Sequence, residues 1–582
     1  MNKIQRWTLW SFRWATIVLG LFYTWSCRFA MNPDGISYLD IADAFRRMDW
    51  HRAISAHWSP LYPCVLGLAL SLAKPSSYWE FPLTHLVNFG CFLISLACFE
   101  FLLRQLRAWR LLHQTRWTGQ GLVALPESVW VALGYTTFLY GVMSMISIAP
   151  VTPDLLVAGA VFMAAGLALR IQNGGDEMRS FLALGAVLGL GYLAKAPLLV
   201  AAPIFFGVAA YGSRSTARET FPRVASGLAV FIVLAGLFVL PLSRLRGRIS
   251  FGESGRLNYI WRVMEMYPFP YESVGRSPYG IPRHPYPVLV DHPTIYQYSG
   301  SVGGTYPVWY DPAYWYEGVH LRWDIVKLVK AVRYNLGIYF EIYWAQMAFL
   351  LGLVVLYFKS VKGARRMEGL RESYPLVIPA AANLAMFGLV LVQTRYVGAF
   401  VTLLWLGLFS GIRIPSGQKA ERWARTVVLF MLVCALVPLA RYAAATARRG
   451  LKEEWLFGNP PEGPVYWQVG EALKQAGLRE GDWIATFCDS YTGYWARLAR
   501  VRIMAESKDP DQFWRASPDA QAKAMEAMRA MGIKAVVAKR EPSWPPAPGW
   551  QPVGHTDYFI HDLMTPGTDR ESSSSSVRET TL

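Results

Sequence analysis

Cysteine is scarce. The chain has six in 582 residues, scattered and without a Cys-x-x-Cys spacing. Neither a disulfide framework nor a cysteine-built zinc site follows from that pattern. The short basic stretches hold no glycine-rich phosphate loop, and no internal repeat of the kind many transporters carry is visible. The long apolar runs are almost free of charge, Glu100 and Glu341 near run ends being the exceptions. Charges inside a membrane mark ion and substrate pathways, so their scarcity argues against a transport path through these runs. The first apolar run is longer than a signal-peptide core and lacks a small-x-small cleavage site, so it is expected to remain as an anchor.

What the chain does have is apolar length. It is 53% hydrophobic, with a mean hydropathy of +0.23, and several runs reach the ~20 residues that span a bilayer. The expected fold is an all-α polytopic membrane protein with about eleven transmembrane helices and a small C-terminal α/β soluble domain. The formal charge of +17 sits as Lys and Arg in short loops between apolar runs. That is the positive-inside pattern, which sets orientation and does not call for a nucleic-acid partner. Lys3, Arg6 and Arg13 place the N-terminus in the cytoplasm. Spans are then expected near 14–29, 83–103, 129–148, 155–169, 181–194, 197–211, 224–240, 336–358, 376–392, 396–412 and 426–439. Leu61–Ala73 is apolar but short, and a crossing there would put the Arg104, Arg107, Arg110 and Arg116 cluster outside; it is expected to be interfacial or re-entrant.

This division gives a membrane module over 1–440, with a first outer loop at 30–63 and a large outer loop at 243–333. A loop of that second length is expected to be functional. Residues 441–564 form an extracytoplasmic α/β domain, with helices near 465–477 and 520–531 and strands at Trp483–Phe487 and 532–538. The serine-rich tail 565–582 is expected to be disordered. Within the first outer loop, apolar residues from Ile36 to Phe45 alternate with Asp40, Asp43, Arg46 and Arg47, as in a short amphipathic helix lying on the membrane surface.

In this topology four charged residues share the outer face. Asp34 opens the first outer loop, Asp154 ends a short Thr-Pro-Asp loop, Lys195 ends a span and Arg395 lies in a Gln-Thr-Arg-Tyr loop. Two cations can neutralise a phosphate, and a carboxylate can take a proton from an attacking hydroxyl. Each has a plainer reading. Asp34 and Asp154 are also well placed to cap helices. Lys195 and Arg395 could snorkel at the interface, and Arg395 with Tyr396 could be a belt pair. His57, Trp58 and Tyr62, and the aromatics Tyr310 and Trp315 of the large loop, could face an acceptor or sugar or simply pack.

One family resembles this order of features. A cytoplasmic N-terminus and one span lead to an outer loop with Pro33-Asp34-x-x-x-Tyr38, then Ser59-Pro60-Leu61-Tyr62-Pro63 and a non-spanning apolar helix. This is similar to the C-class membrane glycosyltransferases (the GT-C fold), in the branch of the protein mannosyltransferases and aminoarabinose transferases. The similarity covers about residues 7–412. Thr-Pro-Asp154 resembles the family's second-loop acid, Ala-Lys195-Ala-Pro its Lys-containing step, and Gln-Thr-Arg395-Tyr its Arg-Tyr motif. Gly35 stands where the family often has a second acid, so the motif lacks one half of a paired-acid metal site. The resemblance implies a polyprenyl-phosphate-linked sugar donor held in the bilayer of a bacterial inner or plasma membrane. The sugar passes with inversion to a hydroxyl of a glycan, lipid or protein acceptor on the outer face. Asp34 is then the general base, Lys195 and Arg395 hold the donor phosphate, and Asp154 is a second acidic contact to acceptor or metal. No cofactor is implied with certainty, and a divalent metal stays open. A lipid-linked-substrate flippase without chemistry is the alternative, and an inactive scaffold a third.

Overall fold

The computed structural model of the chain describes residues 3–118, 121–175, 177–266, 280, 282–298, 302–359, 371–454, 464–539 and 549–564. The expected tail at 565–582 lies outside the described residues. The chain forms two compact units. One comprises Met1–Pro75, Trp79–Arg283 and Tyr316–Pro460; the other comprises Ser76–Tyr78, His284–Trp315 and Pro461–Leu582.

The first unit is helical. Its helices are α1 (Lys3–Ser26), α2 (Pro33–Arg46), α3 (Leu61–Ala73), α4 (Glu80–Thr118), α5 (Glu127–Leu139), α6 (Asp154–Gln172), α7 (Met178–Ala194), α8 (Leu198–Gly212), α9 (Ala217–Arg246), α10 (Ser254–Arg262), α11 (Ile325–Ala345), α12 (Met347–Lys359), α13 (Tyr374–Val390), α14 (Thr394–Ser410) and α15 (Gln418–Glu454). Five helical stretches among the described residues are long and apolar enough to cross a membrane, and the bent pair α11–α12 makes a sixth. Five further apolar helices, α3 among them, are shorter. This is a multi-pass membrane protein.

Burial sorts these helices. The stretch Glu127–Ile146 is 89% buried across its apolar window, whereas α9 is 22% buried and so turns its apolar side chains outward. In a bilayer both environments are apolar, and helices associate by close packing of small residues instead of by water exclusion. Gly141 and Gly398 show this. α5 widens into a π-helical stretch, Tyr140–Ile146, where it meets α14. A Cβ on Gly398 would lie 3.0 Å from the Gly141 carbonyl oxygen, so only glycine lets α14 come this close. Glu100, flagged in the sequence as a charge near a run end, is held by Arg13 through two hydrogen bonds of 2.7 and 2.6 Å and by the Tyr135 hydroxyl at 2.6 Å.

Two features differ from the sequence reading. The apolar run 336–358 looks continuous, but the helix bends by 71° at Gln346. The Gln346 amide is buried, accepts from the Trp405 indole and sits 3.5 Å from the Met145 sulfur. The break thus coincides with a tertiary polar contact that hydropathy does not register. α2 forms where expected, but it is no surface helix. Gly35 to Leu39, Ile41, Ala42 and Ala44 are buried, so it packs inside the unit. Lys362, Arg365 and Arg366, expected from the charge pattern to face the cytoplasm, lie outside the described residues.

The second unit is built on a seven-stranded sheet. Its strands are β2 (Val288–Val290), β3 (Ile295–Gln297), β5 (Trp483–Phe487), β6 (Arg502–Glu506), β7 (Ala535–Lys539), β8 (Trp550–Pro552) and β9 (Tyr558–Asp562), in the order β2-β3-β6-β5-β7-β9-β8. (A two-stranded pair in the first unit, β1 at Leu122–Ala124 with β4 at Arg413–Pro415, completes the strand count.) β6, β5 and β7 run parallel, with Ile484 opposite Ile503 and Ala535. Their side chains are buried on both faces, which is why the strands read as continuous apolar runs. Helices Val465–Gln475 and Pro518–Met531 belong to the same unit.

Residues 284–315, read in the sequence as part of a long outer loop, contribute β2 and β3 to this sheet. A buried carboxylate ties them in. Glu506 is fully buried and accepts from the hydroxyls of Tyr298, Tyr306 (3.1 Å) and Ser490, with the Lys508 ammonium at 2.6 Å. Removing one partner of a buried charge strands the rest. Glu506→Ala is therefore expected to cost about 3 kcal/mol or more in this unit. Heating the full chain in detergent under limited proteolysis reads it: cleavage within the unit should begin at a lower temperature. An unchanged onset would contradict the role of this knot.

Candidate active site

The candidate site is assembled from four segments of the first unit, each at a helix end. Asn32 precedes α2 in extended conformation and Pro33 occupies the first helical turn, where its missing N–H costs nothing. Asp34 follows, so it is not the cap. Its carboxylate instead accepts a hydrogen bond of 2.8 Å from Arg395 Nη2, 361 positions away in sequence. The Asn32 side chain accepts from the Val151 N–H at 2.7 Å and ties the segment before α2 to the segment before α6.

Gly35 is needed for that junction. A Cβ there would lie 2.8 Å from Val151 Cβ and 2.7 Å from Met31 Sδ. This is a physical reason for glycine where the resembling family often has an acid: the second loop occupies the space. Gly35→Ala is expected to push the loops apart and lower stability by about 1–3 kcal/mol. Thermal unfolding in detergent checks this, and an unchanged midpoint would show that the loops yield freely.

Asp154 begins α6 after Pro153 and is 3% exposed. Thr152 Oγ1 donates to its Oδ2 at 2.9 Å, and Lys195 Nζ pairs with its Oδ1. Arg395 Nη1 lies 3.8 Å from the same Oδ2. The guanidinium thus stands between Asp34 and Asp154, with its Nε donating to Gln393 at 3.1 Å. Lys195 ends α7 in extended backbone, which aims its side chain away from the helix axis and into the group. Its ammonium lies 3.7 Å from the centre of the Tyr396 ring. Arg395 sits in the first turn of α14, where the helix dipole disfavours a cation. Two carboxylates offset that cost. All four charged residues singled out in the sequence come together, and all remain partly accessible except Asp154.

Aromatic residues line the group. Tyr38, one turn on from Asp34, meets Trp58 and Tyr62 edge to face at 5.0 and 5.2 Å. His57 is half-buried, with its ring against Trp58 at 4.4 Å and Trp261 of α10 at 5.6 Å. Burial pushes the His57 imidazole down to about 4, with smaller opposing effects from Asp34, which raises it, and Lys195, which lowers it. It is therefore neutral at physiological pH. Tyr62 is fully buried, and its hydroxyl donates to Asn88, whose amide in turn holds the carbonyls of Ile148 and Pro150 at 3.0 and 2.9 Å. Its phenol props the second loop and has no exposed surface to offer an acceptor.

Tyr310 and Trp315 belong to the second unit, where both are buried. Trp315 is wholly enclosed, stacks on Tyr286 at 4.6 Å and donates its indole N–H to the Pro307 carbonyl. Of the two readings left open for Trp315, sugar contact or packing, its enclosed ring fits packing in the core of this unit. Tyr38 and Asn32 are residues the sequence alone did not single out, and Tyr396 entered it only as a belt partner of Arg395; Tyr38 and Tyr396 stand inside the quoted motifs, while Asn32 carries no signal of its own. Among the described residues no three His, Cys, Asp or Glu side chains come together as a metal cage. The site offers two carboxylates, each already facing a cation, and no room at position 35 for another acid. This donor set does not fit a paired-acid metal site.

No protein-family model matches the sequence, and no curated protein sequence matches it. The structure is similar to that of ArnT from Cupriavidus metallidurans in the apo state, at 12% identity and a TM-score of 0.41, over 96% of this chain and 99% of that one. It is similar to the same protein bound to undecaprenyl phosphate at 12% identity and a TM-score of 0.40, over 94% and 98%. The Archaeoglobus fulgidus oligosaccharyltransferase, in complex with Zn and sulfate, is similar at 13% identity and a TM-score of 0.45, over 91% of this chain and 68% of that one.

Proposed function

We propose that the chain is a membrane glycosyltransferase that moves a sugar from a polyprenyl-phosphate donor to an acceptor hydroxyl, with inversion, using Asp34 as general base. One observation carries this reading: Asp34, Asp154, Lys195 and Arg395 meet in one ion-paired group drawn from four separate segments. Two cations and two carboxylates make a group of no net charge with donors already aimed inward. An arriving phosphodiester competes for Arg395 and Lys195. Asp34 is then released from its pairing and can take a proton.

The step balances as follows. The acceptor O–H bond breaks and its proton goes to the Asp34 carboxylate. The oxygen forms a bond to the anomeric carbon, and the bond from that carbon to the phosphate oxygen breaks with its electron pair. Polyprenyl phosphate leaves with one more negative charge, which Lys195 and Arg395 neutralise. The proton gained by Asp34 offsets that charge, so the group as a whole keeps its charge through the reaction.

In this reading eleven spans alternate from a cytoplasmic N-terminus, and all four charged residues lie on the outer side of a bacterial inner membrane. The division into a membrane module over 1–440 and an α/β domain over 441–564 belongs to the same reading. Native protein in proteoliposomes, given a panel of radiolabelled polyprenyl-phosphate sugars and candidate acceptors, should release polyprenyl phosphate. Binding of the lipid without release across the panel would overturn the reading in favour of a flippase.

A further inference from the structure

A second basic feature lies at the opposite end of the helix that carries Asp34. A cavity of about 310 Å³ opens between the last turn of α2 and the end of α3, lined by Asp43, Arg46, Arg47, Ser71 and Lys74. Three cations there meet one carboxylate. Arg46 donates to Asp43 at 2.8 Å and to Ser71 at 3.2 Å, which holds its guanidinium across the gap between the two helices. The helices touch beside the cavity, where a Cβ on Gly67 would lie 3.1 Å from the Ala42 carbonyl oxygen. Lys74 ends α3 in the left-handed region, φ 44 and ψ 55. Glycine is the usual residue there, yet the chain places a long cationic side chain at the rim.

The surroundings are apolar and exposed. On α3, Leu68 and Leu72 are 63% and 78% exposed, and Met48 and Trp50 beyond α2 are exposed as well. α3 has 13 residues, too few to cross a bilayer. Cations above an exposed apolar face match an amphiphile with a negative head.

We propose that this cavity binds the phosphate of an anionic membrane phospholipid, whose acyl chains run over Leu68 and Leu72. Twelve residues of helix separate Arg46 from Asp34, about 18 Å, so this lipid is not the one that reacts. The proposal rests on the chain being a membrane protein and not on the sugar transfer.

The test uses the full chain, purified in detergent and mixed with phosphatidylglycerol, phosphatidylcholine or inorganic phosphate, with bound lipid counted by native mass spectrometry. Wild-type protein should retain one more phosphatidylglycerol than the Arg47→Gln/Lys74→Gln double variant, whose affinity should fall roughly tenfold or more. Leu68→Ser/Leu72→Ser should weaken lipid binding too, and Arg422→Gln, remote in sequence, should leave it unchanged. Equal retention by wild type and the double variant, or equal retention of phosphatidylcholine, would overturn the proposal. Full displacement of the lipid by millimolar inorganic phosphate would overturn it in favour of a free-phosphate site. Unfolding curves of the variants show whether a loss of lipid is only a loss of fold.

Discussion

Asp34→Asn is expected to slow sugar transfer by about 10²–10⁴-fold, the usual contribution of a general base. The substitution is chosen because it keeps the shape. Arg395 Nη2 donates to Asp34 Oδ2 at 2.8 Å, and an asparagine oxygen can still accept that bond. Pro33 remains at the first turn of α2, and Asn32 still joins the loops. What is lost is the proton acceptor. The effect should therefore fall on turnover far more than on donor affinity, because the phosphate would still meet Lys195 and Arg395. Initial rates of polyprenyl phosphate release, measured over a range of donor concentrations, separate the two. A rise in KM with unchanged kcat would return Asp34 to the role of a counter-ion for Arg395.

Arg395→Met is expected to be nearly as costly, by a different route. The guanidinium faces Asp34 at 2.8 Å and Asp154 at 3.8 Å, and both carboxylates are largely shielded from solvent. Without it the two carboxylates lose the cation they share. Breaking a buried pair by removing one partner costs about 3–5 kcal/mol. Part of this is recovered here, because Asp34 and Arg395 keep some access to solvent. Donor binding should fall by at least tenfold, since a charge-assisted hydrogen bond to phosphate is lost. Arg395→Lys should restore stability better than activity: an ammonium is a point charge and cannot span two partners with a planar fork. Thermal unfolding and donor titration of both variants check this. Full function in Arg395→Lys would show that the forked geometry is not needed.

The residues at this site were legible for a simple reason. Lys195 follows an apolar run and precedes Ala-Pro, so it had to sit at a helix end. Charge alternation then placed it on the same face as Asp34, Asp154 and Arg395. Side-chain polarity and loop position are local signals, and they sufficed to bring the four together. Gly35 carried less: its absence of a side chain was visible, but the cause, Val151 at 2.8 Å from a would-be Cβ, is a contact across 116 residues of chain. The break at Gln346 was hidden because one amide in a long apolar run barely changes hydropathy; its partners, Trp405 and Met145, are brought alongside by folding. β2 and β3 are three residues each; β2 pairs with β3, and β3 with a strand some 200 positions later, so the local sequence does not mark them as part of this sheet. Trp315 stayed open between two readings for a different reason. An aromatic-rich segment looks the same to composition whether its rings stack on a ligand or on one another.

The central claim is that one ion-paired group both holds the donor phosphate and deprotonates the acceptor. A single experiment addresses both halves: donor binding and single-turnover release of polyprenyl phosphate, followed in the same proteoliposomes for native protein and Asp34→Asn. The account predicts donor binding within a few-fold of native and release slower by about 10²–10⁴-fold. Release at the native rate from the variant would contradict it, leaving Asp34 as no more than the partner of Arg395.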